Sequence, residues 1–146
     1  KVQSAKDMYD AVIERADSMD IIVKAAAVAD YRPKNVSSEK VKKQDGNMSI
    51  ELERTDDILK TLGERKNGQF ICGFSMETEN MLENSRKKLE KKNCDMIVAN
   101  NLKQDGAGFG GNTNIVTLIT KDDEVQLEKM TKDEVAEKIF DFILSR

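Results

Sequence analysis

Ala25-Ala26-Ala27-Val28-Ala29-Asp30-Tyr31-Arg32-Pro33 continues an apolar run that opens at Ile21. From Ile21 to Ala27 the run is interrupted only by Lys24, which reads as a strand buried on both faces, the parallel-sheet type. Pro33 breaks the chain after it. A lone carboxylate, Asp30, therefore stands just past a strand of small residues, and Lys40, Lys42 and Lys43 follow. Ligands of open α/β sheets bind beyond the carboxyl ends of the strands. This layout suits a phosphate-bearing ligand.

The rest of the chain alternates in the same way. Ser4 is a plausible N-cap for an amphipathic helix over 4–18, with Ala5, Met8, Tyr9, Val12, Ile13 and Ala16 on one face. Residues 40–54 read as a β-hairpin turning at Asp45-Gly46-Asn47, with Val41, Met48, Ile50 and Leu52 as its apolar positions. Asp56 and Asp57 open a short helix over 58–66, closed by Asn67-Gly68. Residues 70–74 form a second buried strand, 78–92 a helix whose inward residues are Met81, Leu82, Ser85 and Leu89, and 96–99 a third strand ending in Asn100-Asn101. A glycine- and asparagine-rich loop over 106–114 reads as a lid. A β pair at 115–120 and 125–127 precedes a last helix striped by Val135, Ala136, Ile139, Phe140, Ile143 and Leu144. Strands alternating with helices predict an α/β fold: a three-layer, Rossmann-like, mostly parallel sheet with helices on both faces and a protruding hairpin arm.

Composition bounds the function. The 146 residues fit one domain, 1–146, with a core of its own. A net charge of −3 argues against general nucleic-acid binding. No apolar run approaches the roughly 20 residues that span a bilayer, and no signal peptide is visible. Cys72 and Cys94 lack metal-ligand spacing and read as buried, reduced thiols of a cytoplasmic protein. With no histidine, imidazole catalysis and His-ligated zinc are excluded. Lys1 in place of Met, a few residues ahead of a helix, reads as a segment of a longer protein.

Three strand tips, at Asp30, at Gly73-Phe74 and at Asn100-Asn101, are expected to share one edge. Each candidate has two readings there. Ala26 and Ala27 either pack tightly or admit a flat ligand. Asp30 either caps a turn or accepts from a ribose hydroxyl or base amine. Asp56 and Asp57 either cap the helix or help it hold a ligand. Lys88 and Lys92, four apart on one face, are either surface salt-bridge partners or phosphate ligands. The glycines of 108–111 form neither a Walker loop nor a dinucleotide fingerprint.

The ordered motifs Ala-Ala-Val-Ala-Asp-Tyr-Arg at 26–32, Glu-Lys-Val-Lys-Lys at 39–43, Asp-Asp-Ile-Leu at 56–59, Gly-Phe-Ser-Met-Glu-Thr at 73–78, Lys-Lys-Asn-Cys-Asp-Met-Ile-Val-Ala-Asn-Asn at 91–101 and Gly-Phe-Gly-Gly-Asn-Thr-Asn at 108–114 cover essentially the whole chain. Together they resemble the phosphopantothenate–cysteine ligase (phosphopantothenoylcysteine synthetase) domain of the bifunctional bacterial coenzyme A enzyme. The resemblance implies CTP- and Mg²⁺-dependent joining of 4′-phosphopantothenate to cysteine. The carboxylate attacks the CTP α-phosphate, and the cysteine amine then displaces CMP from the acyl cytidylate. It implies Lys40 as the catalytic lysine on the triphosphate. It further implies a CTP site built from Ala26, Ala27, Asp30, Lys40, Asp56, Asp57, Ile58, Leu59, Phe74, Lys88 and Lys92. Metal ligands are not implied. The 40–54 hairpin matches an arm that pairs two subunits into a homodimer. FMN belongs only to a decarboxylase domain fused upstream in some members. Two departures stand out: Asn112 replaces a common Asp, and the family's first strand, glycine-rich turn and Ser-Asn-Arg-Ser-Ser-Gly-type segment are expected before residue 1. That segment carries an asparagine that handles the acyl cytidylate. The alternative is a non-catalytic nucleotide-binding and dimerisation fragment.

Overall fold

A computed structural model describes residues 1–43, 45–77, 79–101 and 111–146, with the side chain of Asn101 excepted. In chain order it contains α1 (Ala5–Ala16), β1 (Ile21–Lys24), β2 (Tyr31–Pro33), β3 (Leu52–Arg54), α2 (Ile58–Arg65), β4 (Phe70–Glu77), α3 (Met81–Lys91), β5 (Met96–Asn101), β6 (Thr113–Asn114), β7 (Val116–Ile119), β8 (Glu124–Gln126), β9 (Met130–Thr131) and α4 (Lys132–Leu144). The main sheet runs β1-β4-β5-β7-β8. β1, β4 and β5 are parallel, and β7 and β8 extend them antiparallel.

The sheet is covered on both faces because its central strand β5 is apolar on both faces from Met96 to Ala99. Met96, Ile97, Val98 and Ala99 are all fully buried. Ile97 and Ile71 face Ile58, Leu59, Leu62 and Leu89 from α2 and α3, with Met8, Tyr9, Val12 and Ile13 of α1 packed alongside. Met96, Val98 and Cys72 face Val135, Ile139 and Ile143 of α4. That is the three-layer arrangement the sequence predicts. Gly73 makes one contact possible: a Cβ there would fall 2.7 Å from a Leu59 methyl and 3.0 Å from an Ile97 methyl. A side chain at 73 would force the Leu59 and Ile97 methyls to shift.

Several expectations need correction. The strand expected over 21–27 ends at Lys24, and it is half-buried rather than buried, because it pairs only with β4 among the described residues. Ala25–Ala29 has the same apolar composition but no partner strand. The expected hairpin over 40–54 is also displaced. The paired arms are Tyr31–Pro33 and Leu52–Arg54, prolonged by the bonds Lys34 N to Glu51 O and Thr55 N to Asp30 O. Val41, Met48 and Ile50 lie in the long connection between them and are exposed. Arg32–Glu53 and Lys34–Glu51 ion pairs bridge the ribbon, and Gly46, at the expected turn, has φ +102°. Part of the expected lid, 106–110, and the expected helix start at Thr78 lie outside the described residues. The remainder of the lid is ordered structure: Thr113–Asn114 pairs with β9, and the Asn112 carbonyl accepts from Lys132 N. On α4 the outer row of the expected stripe is open, with Ala136, Phe140 and Leu144 exposed.

Gly63 sits inside α2, where alanine ordinarily gains about 1 kcal/mol. Here the added Cβ would lie 1.8 Å from the Lys92 carbonyl oxygen. Gly63→Ala should therefore destabilise the protein by about 1–3 kcal/mol through forced displacement of α2 from α3. Denaturant unfolding measures it, and a variant as stable as the parent would show that the two helices are not held in this contact.

Candidate functional site

The pairing of β1 with β4 stops at Lys24 opposite Gly73, whereas β4 and β5 stay paired to Glu77 opposite Asn101. The sheet therefore steps. Ala25–Ala29 leaves it at the step and is pinned from the other side, where Thr55 Oγ1 donates to the Ala29 carbonyl at 2.5 Å. A cleft of about 900 Å³ opens along the step, a size that accommodates a nucleotide-sized ligand.

Its walls contain Ala26, Ala27, Asp30, Asp56, Asp57, Ile58, Leu59, Phe74, Lys88 and Lys92. The structure thus brings together every CTP-site residue expected from the sequence except Lys40. Lys40 is exposed in the connection between β2 and β3, with Lys42 and Lys43, and none of the three lines the cleft. Ile58 and Leu59 are buried side chains that form the floor rather than offering polar contacts.

Two of the lysines are held by named partners. Lys88 Nζ donates to the Phe74 carbonyl at 2.9 Å, which ties α3 to the middle of β4, since the strand expected to end at Gly73-Phe74 runs on to Glu77. Lys92 pairs with Asp57, whose other oxygen accepts from Lys60 N at 2.9 Å and caps α2. Asp57 is thus a helix cap, and a cleft residue as well. Burial works to raise its pKa, but the Lys92 hydrogen bond, the Lys60 amide and the charges of Lys92 and Lys24 outweigh burial and hold the carboxyl below its usual value. Among the described residues no group of three acidic, Cys or His side chains is placed to hold a metal ion.

Sequence reasoning left out other residues of the cleft. Asn100, at the tip of β5, is 5% exposed, lines the cleft, and its Oδ1 has no hydrogen-bond partner among the described residues. A buried amide oxygen without a donor costs about 1–3 kcal/mol, so this atom suits a ligand N–H or O–H. Its signal in the sequence was the polar end of an otherwise apolar strand. Lys24, Lys132 and Phe140 also line the cleft. Cys72 and Cys94 stay outside its lining, and both are free. Burial pushes their thiols up to about 12 and about 11, so both are protonated and unreactive.

A stepped, mostly parallel sheet covered by helices, with a cleft lined by lysines and aspartates at its carboxyl edge, defines a Rossmann-like α/β domain. The chain belongs to the family of the DNA/pantothenate metabolism flavoprotein C-terminal domain, whose model matches residues 1–146. It is 56% identical over 121 residues to the coenzyme A biosynthesis bifunctional protein CoaBC of Bacillus subtilis (strain 168), covering 83% of this chain and 30% of that protein. It is 44% identical over 146 residues to a cysteine/cysteine sulfinic acid decarboxylase of an unknown prokaryotic organism, covering 99% of this chain and 41% of that protein. The chain therefore spans less than half the length of these curated relatives. The crystal structure of the C-terminal domain of a CoaBC protein superposes with a TM-score of 0.78 at 46% identity, covering 97% of this chain and 62% of that one. No helix of the described residues is long and apolar enough to cross a membrane.

Asp57→Asn keeps a capping oxygen but removes the charge facing Lys92. It should cost up to about 1 kcal/mol at neutral pH, since the pair is partly solvated. A carboxyl with a depressed folded-state pKa contributes fully above its unfolded value and loses the contribution as pH falls through the folded one. The stability gap between the parent and the Asp57→Asn variant in denaturant unfolding should therefore close on acidification. A gap constant with pH would assign Asp57 to capping alone.

Proposed function

We propose that this chain forms the CTP-handling part of a cytoplasmic phosphopantothenate–cysteine ligase. The supporting observation is the convergence of Ala26, Ala27, Asp30, Phe74, Lys88 and Lys92 on one cleft, in a chain 56% identical over its matched length to a coenzyme A biosynthesis protein.

The reaction activates the carboxylate of 4′-phosphopantothenate, since hydroxide is a poor leaving group. Attack on the CTP α-phosphorus forms an acyl cytidylate and expels pyrophosphate. The cysteine amine then attacks the acyl carbon and expels CMP. Negative charge grows on phosphate oxygens in the first step, and fixed ammonium groups stabilise it without reorganisation. Lys88 and Lys92 are held in place by Phe74 O and Asp57. Ala26 and Ala27 carry no bulk beyond Cβ and let the nucleoside lie against the backbone. Asp30 accepts from a cytidine donor. Asn100 Oδ1 accepts a further ligand N–H or O–H. Mg²⁺ enters as the companion ion of the triphosphate.

Lys40 reaches this chemistry through the connection between β2 and β3. That connection exposes Val36, Val41, Met48 and Ile50 next to Leu52 of β3, with Val41 at 65% and Ile50 at 59%. A second copy that covers these side chains in a two-fold dimer also fixes Lys40. The second reading, a nucleotide-binding and dimerisation unit without turnover, is favoured by Lys40 standing outside the cleft.

Calorimetry of the intact protein tests the first reading. MgCTP should bind more tightly than MgATP, and Asp30→Ala should erase most of that preference. Equal affinities, or none in a folded sample, would overturn it. Lys40→Gln should slow pyrophosphate release about a hundredfold, an effect of roughly 3 kcal/mol, with little change in melting. Binding of CTP with no pyrophosphate release even by the parent protein would select the second reading.

Replacing Ile50 and Leu52 together by Asp should give monomers in sedimentation and reduce turnover. Variants that remain dimeric, or that are fully active as monomers, would show that this connection is not the subunit contact.

A further inference from the structure

Lys24 is the one charged residue in the apolar run from Ile21 to Ala27 and the last residue of β1. It stands where the sheet steps, and it lines the cleft. Its side chain folds back over the strand end, with Nζ donating to the Ala26 carbonyl at 2.8 Å. Among the described residues its hydrogen-bond partner is thus a neutral oxygen, whereas the neighbouring carboxylate, Asp57, is taken by Lys92. Burial pushes its pKa below the usual lysine value, the like charge of Lys88 adds to that, and Asp57 and Asp30 oppose it. A partly desolvated cation beside another cation is short of negative charge. An ammonium has three donors, and the Ala26 carbonyl takes one.

We propose that Lys24 is an anion ligand of this cleft, donating to a phosphate oxygen of the bound nucleotide while one N–H holds Ala26 in place. The inference rests on the nucleotide reading above and adds a residue to it. Two jobs are then joined in one side chain: shaping the small-residue segment against which the nucleoside lies, and neutralising the phosphate chain beside Lys88 and Lys92. The strand position explains why a lysine suits this role. The final residue of a strand can send a long stem along the apolar surface and keep its charged head in the cleft.

The test uses the intact protein and two probes, CTP and inorganic tripolyphosphate, titrated by calorimetry. Lys24→Met should weaken both by roughly tenfold, the scale of one charge-assisted hydrogen bond. Lys24→Gln keeps a donor for the Ala26 carbonyl but carries no charge, and should lose tripolyphosphate affinity to a similar extent. Lys24→Arg should restore most of it. The tripolyphosphate loss should shrink as salt is raised, which a purely structural lesion would not do. Parent-like tripolyphosphate affinity in Lys24→Gln would reduce Lys24 to a pin for Ala26 and overturn the proposal, with the nucleotide reading intact. Failure of the parent protein to bind either probe would overturn the nucleotide reading and this role together.

Discussion

Parallel pairing of β1 with β4 ends at Lys24 and Gly73, and that early ending shapes everything at the site. β4 and β5 remain paired to Glu77 and Asn101. Among the described residues no strand pairs with Ala25–Ala29, and the Ala29 carbonyl accepts from Thr55 Oγ1. The gap left beside the tips of β4 and β5 is the cleft. α2 can reach its edge only because Gly73 gives Leu59 room above the sheet. Asp57, the cap of α2, then meets Lys92 just past the end of α3.

The electrostatics follow from that placement. Lys88 and Lys92 come from one face of α3 but meet different partners, a carbonyl on β4 and a carboxylate on α2. Each bond ties a helix to a neighbouring element and points an ammonium into the same space. A lysine anchored by one donor keeps two for a ligand and loses less freedom on binding it. Lys24 adds a third ammonium from the sheet itself. The arrangement is better suited to stabilising phosphate charge than to proton transfer, in keeping with a chain that has no histidine.

The ribbon of β2 and β3 is the opposite kind of element. It is held by a three-residue register and by cross-strand ion pairs, with little apolar burial. Beyond it the connection presents its apolar residues to solvent. Such a two-stranded unit is marginal in water unless something packs on it. The cleft lysines Lys88 and Lys92 are bonded to β4 and to the cap of α2, whereas Lys40 stands exposed in this connection.

Much of the molecule was legible from sequence because the relevant signals are local. The run Met96–Ala99 announced a strand buried on both faces, Asp57 a helix cap, and Val135, Ile139 and Ile143 the inner row of α4. Asn100-Asn101 does end β5 as expected, whereas the ends expected at Asp30 and at Gly73-Phe74 fall instead at Lys24 and Glu77. Other features depend on partners that no local pattern names. Ala25–Ala29 is as apolar as a strand, and only the register against β4 stops β1 at Lys24. Asp45-Gly46 is a sound turn signal, and Gly46 has the positive φ of a turn, yet the paired arms lie farther out, at 31–33 and 52–54, in a register no local pattern names. Asn100 was visible as a polar strand end, but its unpartnered oxygen appears only once the surrounding side chains are in place. The sequence by itself determined the helices and the strands of the main sheet, since periodicity and capping act within a few residues, but not the two small ribbons. The tertiary structure decided where strands end, which charges meet and which lysines enter the cleft, since those depend on neighbours far apart in the chain.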